Sequence, residues 1–564
     1  MRTRLIPLMV TLALLLPAGS WAASPGALYV TNGLGNSIAQ FGIGAGGLLN
    51  PLSPPTVTAA NPSTAVITPD GKHVYALGNS TLYAWDVQSD LTLVPHNPPS
   101  FTSPVAGGAW MGVSPDGKSL YLADFGNSIG QVTIGAGGDL TDKAPATVGG
   151  GPQVFSVAMT PDGKYLYGLN VGGNSITRYD VAADGTLTAQ PGSTTTGSVP
   201  AHMVVTPDGR YAYVTDENGN TVHQYAIGAD GSLTPLNPAS VVTSPNPSPN
   251  PDGIGISPDG NTVYATNISD STNAIVPFDV GSDGTLAAKP GGAVSAAQPL
   301  MLMPTPDGRS VYVTSIGGHA VLEYDAAADG TLTPKSTASV PSGGNPTQLL
   351  TVPDQGPTAA FTASPASSPA TFDASSSSDP DGTIARYDWD FGDGSTSTTT
   401  TPTTSHTYAA PGTFTVRLRV TDDTGCSGEV FTGRDTLCND HGSVVTHDVT
   451  VPAPSTSPTG DGTPGDGTPS DGTPGAGPPT GGPVDQTPEP RPTGRHAKRC
   501  RVPRLKHATL KQARKRLRKA NCRLGKVTRR PPAGDRLVVV AQRPKPGKKR
   551  KARFPVRVTV SGRA

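Results

Sequence analysis

The chain has 564 residues, too many for one ordinary hydrophobic core, so several domains are required. Its 42 Lys/Arg balance 42 Asp/Glu, yet from Arg491 onward there are 27 basic residues against one acid, Asp535, leaving 15 basic and 41 acidic residues in 1–490. A tail of +26 behind a body of −26 implies an anionic partner for the tail, inside or outside the chain.

The N-terminus has the pattern of an export signal over residues 1–22. Arg2 and Arg4 form a basic start, Leu5 to Leu16 is a short apolar run, and Ser20-Trp21-Ala22 supplies small residues for cleavage. The run is too short to span a bilayer comfortably and contains Pro7; no later segment reaches spanning length. The four cysteines agree with an oxidising destination. Cys426 lies near Cys438 and Cys500 near Cys522; of the three pairings open to four cysteines, the local one keeps each bridge within its own module.

Residues 27–352 repeat one pattern seven times. A tyrosine strand recurs as Leu28–Asn32, Val74–Gly78, Leu120–Asp124, Leu166–Asn170, Ala212–Asp216, Val263–Asn267 and Val311–Ser315. A Ser/Thr-Pro-Asp-Gly turn precedes six of them, beginning at Thr68, Ser114, Thr160, Thr206, Ser257 and Thr305; a degraded copy follows at Val352-Pro353-Asp354-Gln355. The spacing is that of a four-stranded propeller blade. Asp-Gly pairs at 184, 230, 283 and 329 suit hairpin turns, because Gly accepts the positive φ such turns need. The segment begins on a tyrosine strand and ends on an inner strand, so one blade is expected to be closed by both ends of the domain.

These repeats resemble the seven-bladed lactonase-like propellers and the related secreted YVTN-repeat proteins. That resemblance implies a seven-bladed ring, in a family of 6-phosphogluconolactonases, carboxymuconate cyclases and many surface proteins. A site in such a ring is expected where the inner strands converge on the channel. Counting four residues back from each turn gives Thr64, Trp110, Ser156, His202, Gly253, Met301 and Gln348 as channel-lining residues. Among them only His202 could serve as a base near neutral pH, with Asp252 close enough in sequence to Gly253 to approach it. A lactonase also needs cations or dipoles for its oxyanion, and none of these seven positions is Arg, Lys or Glu. His202 is therefore read as lining the channel, with catalysis by His202 and Asp252 as the alternative.

Residues 356–451 carry Trp389-Asp390-Phe391-Gly392-Asp393-Gly394, His406-Thr407-Tyr408 and an alternating strand of Phe414, Val416, Leu418 and Val420. They resemble a PKD domain, a small β-sandwich of extracellular proteins, interrupted here by an insert from Cys426 to Cys438. Some related domains hold calcium near Asp379 and Asp381. Two carboxylates fall short of the six to eight oxygens calcium takes, so calcium is a candidate ligand and no other cofactor is expected.

Residues 452–493, with repeated Gly-Asp-Gly-Thr-Pro, have too few apolar groups to order and read as a linker. Residues 499–562 open with Val502-Pro503, continue through a helix with Leu510, Ala513, Leu517 and Ala520 on one face, and end in an alternating Val556, Val558, Val560 strand. They resemble a PASTA domain, a small α+β fold found outside bacterial membranes, several members of which bind peptidoglycan fragments or β-lactams. This copy is solitary and unusually basic, with Lys548, Lys549, Arg550 and Lys551 placed in a Pro/Gly-flanked turn as anion-binding candidates.

The expected protein is thus mainly β: a seven-bladed propeller, a PKD sandwich and a small α+β PASTA domain. It is expected to be secreted and cell-wall associated, the basic tail binding wall polymers or peptidoglycan while ring and sandwich offer surfaces to a carbohydrate or protein ligand. Two alternatives stand beside this: a secreted lactonase or cyclase acting in the channel, and capture of nucleic acid or another polyanion by the tail.

Overall fold

The computed structural model describes residues 26–244, 250–268, 273–364 and 369–452. In the C-terminal part it describes 500–501, 503, 505, 513, 516–517, 519–520, 523–530, 537–543, 549–550 and 555–562. The chain divides into two compact units, Met1–Pro458 and Thr459–Ala564. The signal and linker readings fall almost wholly outside the described residues.

Each Ser/Thr-Pro-Asp-Gly turn is built by its own side chains. Thr68 Oγ1 donates to Asp70 Oδ1 at 2.6 Å, the same oxygen accepts Lys72 N–H at 3.2 Å, and Gly71 takes φ +69°. The turn joins the inner strand Pro62–Ile67 to the tyrosine strand His73–Gly78, with Thr81–Val87 and Leu93–Thr102 completing the blade. Seven such sheets are present. In the first, the inner strand Pro346–Thr351 comes from the far end of the domain and pairs with Gly26–Asn32, which closes the ring without a free inner edge. The sixth departs from the expected four strands, its outer strand being split into Leu286–Ala288 and Val294–Ser295.

The tyrosine that defines the repeat binds neighbouring blades together. Tyr75, Tyr121, Tyr167 and Tyr213 donate their hydroxyls to Gly138, Gly185, Gly231 and Gly284 carbonyls of the next blade's hairpin turn, at 2.7–2.9 Å. Tyr312 does so across the closure, to Gly47, at 2.7 Å. A large ring is thereby buried with its one polar atom satisfied, the condition for placing Tyr in a core. Buried glutamines repeat the device: Gln131 donates to Pro145 O and accepts Leu187 N–H, a residue of the following blade.

The degraded seventh turn does not form a hairpin. With glutamine where the others have glycine, the chain runs on, and Asp354–Gln355 pairs in parallel with Cys438–Asn439 of the sandwich. The sandwich therefore takes in residues from 354, two before its expected start. Its core is Phe361, Phe372, Trp389, Phe391, Tyr408, Val416, Leu418 and Val420, all buried. Cys426 and Cys438 are disulfide-bonded.

In the C-terminal unit, Arg523–Arg530 pairs in parallel with Pro555–Gly562, which pairs antiparallel with Leu537–Arg543. Leu505, Ala513 and Leu517 are buried, the last two on a helical segment. Lys549–Arg550 is not a turn: it forms a short antiparallel pair with Cys500–Arg501. Lys548, Lys551 and Cys522 lie outside the described residues, and so does the Cys500–Cys522 pairing. No helix among the described residues is long and apolar enough to cross a membrane.

Candidate functional site

The seven channel positions are all buried, but they do not line an empty bore. Thr64 Oγ1 donates to Gln348 Oε1 at 2.6 Å, which also accepts Ala65 N–H at 2.9 Å, and Ser156 Oγ donates to Ala201 O at 2.5 Å. These polar side chains are spent on seams between blades. Gly253 has a steric reason: a Cβ there would lie 2.1 Å from Leu300 O. Trp110 and Met301 pack instead on Phe431, a fully buried residue of the sandwich.

Phe431 belongs to the insert between Cys426 and Cys438, which enters the ring from the side of the Pro-Asp-Gly turns. Its backbone pairs with the ends of two inner strands: Thr432 O accepts Val205 N–H at 2.9 Å, and Gly433 O accepts Met159 N–H at 2.6 Å. Leu437 packs with Met303 and Leu349. At Gly433, φ is +98° and a Cβ would come within 3.0 Å of Val205 N, so the tip needs glycine on both counts. Arg434 places its guanidinium 5.7 Å from the Trp110 ring centre and pairs with Asp435 at 2.9 Å, both side chains being largely buried. The disulfide closes the base of this loop.

Toward the opposite face lie His202, on Pro200–Val205, and Asp252, on Pro251–Ile256 of the next blade. His202 Nε2 is 3.2 Å from Asp252 Oδ1. Thr215 holds this seam, accepting His202 N–H at 3.1 Å and donating to Asp252 O at 2.6 Å. Trp110 and Phe155 cover the imidazole with centroids at 4.4 and 5.3 Å, leaving His202 3 % exposed. Burial pushes its pKa down; Asp252 opposes and Arg434 adds to the fall, so the ring is neutral near pH 7. Phe125, 47 % exposed, lies with its ring centre 5.9 Å from that of Phe155, tilted 43° to it, and extends the aromatic surface to solvent.

Glu217 follows the strand Tyr211–Asp216 at this rim, and its carboxyl is pushed up to about 7 by burial and then by the charges of Asp252 and Asp216. Asp216 accepts Ser198 N–H and sits 3.2 Å from His223 Nε2. The structure thus adds Glu217, Phe155 and Arg434 to His202, Trp110 and Asp252. Glu217 was recoverable from the repeat, since the other blades carry Gly33, Asn79, Phe125, Val171, Ile268 and Ile316 at that place. Arg434 carries no such signal, because it comes from another domain.

A second cluster lies in the sandwich. Asp379 and Asp381 are joined by Asp354 and Asp422, and burial raises the pKa of all four, that of Asp379 to about 7. Both Asp379 oxygens, Asp354 Oδ1 and Asp422 Oδ2 are shielded without a hydrogen-bond donor. Asp381 Oδ2 accepts Gln355 N–H, while Asp422 Oδ1 caps the root of the insert through Thr424, Gly425 and Cys426 N–H. Four oxygen-donor side chains, three of them with an oxygen that no donor reaches, fit a hard cation better than two did.

A closed ring of seven blades with its tyrosine stitches defines a lactonase-type propeller. The family model for the seven-bladed β-propeller lactonases matches residues 27–345, and the chain belongs to that family. A PKD model matches 354–436 and a PASTA model 501–562. Among solved structures, the chain is similar to a candidate 6-phosphogluconolactonase from Bacteroides fragilis, at 26 % identity and TM-score 0.52, covering 60 % of this chain and 99 % of that one. A candidate 6-phosphogluconolactonase from Bacteroides uniformis, at 20 % identity and TM-score 0.53, covers 58 % and 100 %. The periplasmic gluconolactonase of Pseudomonas aeruginosa, at 22 % and 0.50, covers 58 % and 99 %. The last two likenesses are of fold alone.

Proposed function

We propose that this protein is an exported binding protein of the cell envelope, its propeller and sandwich presenting surfaces while the basic C-terminal domain attaches to wall polymers. The observation that carries this reading is the filled channel. Phe431 and Arg434 occupy the space where a substrate would approach from one side, and His202 is covered by Trp110 and Phe155 with its Nε2 turned to Asp252. A general base must reach the water it activates, and this one faces a carboxylate in a dry setting. What remains open on that face is an aromatic step from Phe125 to Phe155, suited to stacking on a carbohydrate ring or an apolar protein side chain. PKD and PASTA domains fit an envelope location, and the +26 tail supports polyanion attachment.

The test is sedimentation with purified cell wall. The isolated 491–564 segment is expected to bind at low salt and to release between about 0.05 and 0.5 M salt as screening shortens. A 23–490 fragment should stay in solution. Neutralising Lys548, Lys549, Arg550 and Lys551 should weaken retention, and competition by soluble nucleic acid would turn the assignment toward general polyanion capture.

Arg434 favours a second reading, lactone hydrolysis in the channel. The insert supplies the cation that the seven channel positions lack, beside a neutral His202 and a Glu217 poised near pH 7. Turnover of sugar or aromatic lactones by the full chain, lost in Arg434→Met and His202→Gln, would establish it over the binding role.

A further inference from the structure

The second blade departs from its six siblings where its second, third and fourth strands meet at Asp86. Ten residues separate an aspartate on the third strand from its partner on the fourth, or just past its first piece, in the seventh and sixth blades, where Asp325 pairs with Lys335 and Asp279 with Lys289. The fourth blade keeps the geometry with Asp180 and Gln190, at 2.9 Å. In the second blade the same spacing gives Asp86 and His96. On the adjoining strand, Asp86 lies opposite His73, where the other blades have Ala27, Ser119, Tyr165, Tyr211, Thr262 and Ser310. Two independent substitutions of the repeat thus bring two imidazoles to one carboxylate.

Their geometry is convergent. His73 Nδ1 and His96 Nδ1 each lie 2.8 Å from Asp86 Oδ1, and the rings stand nearly perpendicular with centroids 5.8 Å apart. The three donor atoms lie within 4.8 Å of one another. His96 Nε2 is 3.3 Å from Asp139 Oδ1, a residue of the third blade. A carboxylate behind a histidine fixes the tautomer that leaves the other nitrogen with a free lone pair. That lone pair would face the Asp86 oxygen directly, so a second proton or a cation has to lie between them. The histidine side chains are 15 % and 11 % exposed, which leaves solvent one side of approach.

We propose that His73, His96 and Asp86 form a binding site for a zinc-type divalent cation, with Asp139 positioning His96 and water completing the coordination. Two imidazole nitrogens and one carboxylate oxygen are a donor set that zinc takes in open tetrahedral sites. The ion joins the second, third and fourth strands of the blade and, through Asp139, the seam to the third blade. The site is separate from the channel and from the sandwich carboxylates.

Cobalt(II) is the probe, added to full-length, untagged, chelator-treated protein. One equivalent should give the intense visible bands of a four- or five-coordinate ion, discharged by zinc, and zinc should raise the melting temperature. His96→Lys rebuilds the pair of the sixth and seventh blades, and His73→Ser installs the residue of the third and seventh, so both variants should fold. Each should lose at least tenfold in cobalt affinity. The weak spectrum of the hydrated ion with wild-type protein, meaning a proton-only bridge, overturns the proposal; so does unchanged affinity in either variant.

Discussion

The seven blades and the thirteen-residue insert from Cys426 to Cys438 solve opposite problems. A blade buries its strands by repetition: in six of the seven the Tyr finds a carbonyl in the neighbouring blade, and the same contact serves wherever the blade stands. The insert buries Phe431, Arg434 and Leu437 by fitting one unrepeated cavity, the channel the blades leave. The ring's stability is thus spread over interchangeable seams, whereas the channel's state depends on a single loop from another domain.

Breaking the ring should cost most. Deleting Gly26–Thr58 removes three of the four strands of the closing blade and strips Tyr312 of its acceptor at Gly47. We expect loss of cooperative melting or conversion to oligomers through the open edge, read by calorimetry and size-exclusion chromatography. A monomeric, cooperatively melting truncation would show that closure is dispensable.

Breaking the insert should cost less and stay local. Phe431→Ala empties a fully buried site against Trp110 and Met301 and should destabilise by about 3–5 kcal/mol. Trp110 fluorescence should also change as water reaches the channel. Replacing both Cys426 and Cys438 with Ser is expected to cost at most about 3 kcal/mol, because the loop it closes is short. If the blades and insert are as unlike as the contacts indicate, neither change should unfold the ring, and protease mapping should place new cleavage within 427–437.

This difference also explains what could be read in advance. Strand order, blade count and the closing strand were legible because turn chemistry repeats: Asp70, Asp116, Asp162, Asp208, Asp259 and Asp307 all sit in the same turn. The sandwich core was legible from the alternation of Val416, Leu418 and Val420. The insert looked like a decoration, since nothing in Phe431-Thr432-Gly433-Arg434 has a period and its partners lie some 130 to 320 residues earlier in the chain. His202 and Trp110 were identified from spacing, yet their surroundings were not, because Phe155 and Arg434 reach them only through tertiary packing. For the same reason Asp379 and Asp381 stood out as neighbours in sequence, while Asp354 and Asp422 joined them only in the fold.

The smallest expected effect concerns those carboxylates, which link the two regions. Asp422 caps the turn from which the insert starts, and Asp354 leads directly out of the last inner strand. Burial and mutual repulsion raise their proton affinity in the folded state, with Asp379 pushed up to about 7. In the unfolded chain these groups titrate near 4, so between about pH 4 and 7 the folded protein holds more protons than the unfolded one. Stability should therefore fall as pH rises through that window, the reverse of a salt-bridged aspartate. With chelator present, we expect a melting temperature a few degrees lower at pH 7.5 than at pH 5, and a flatter profile in Asp379→Asn. Calcium, which replaces the missing protons with a harder charge, should recover the loss at pH 7.5 and do little at pH 4.5, where protons already occupy the oxygens. The recovery should be absent in Asp379→Asn and in Asp354→Asn. A calcium effect of equal size at both pH values would point to binding elsewhere on the chain, and a rise in stability from pH 5 to 7.5 in chelator would mean that these carboxylates are paired rather than crowded.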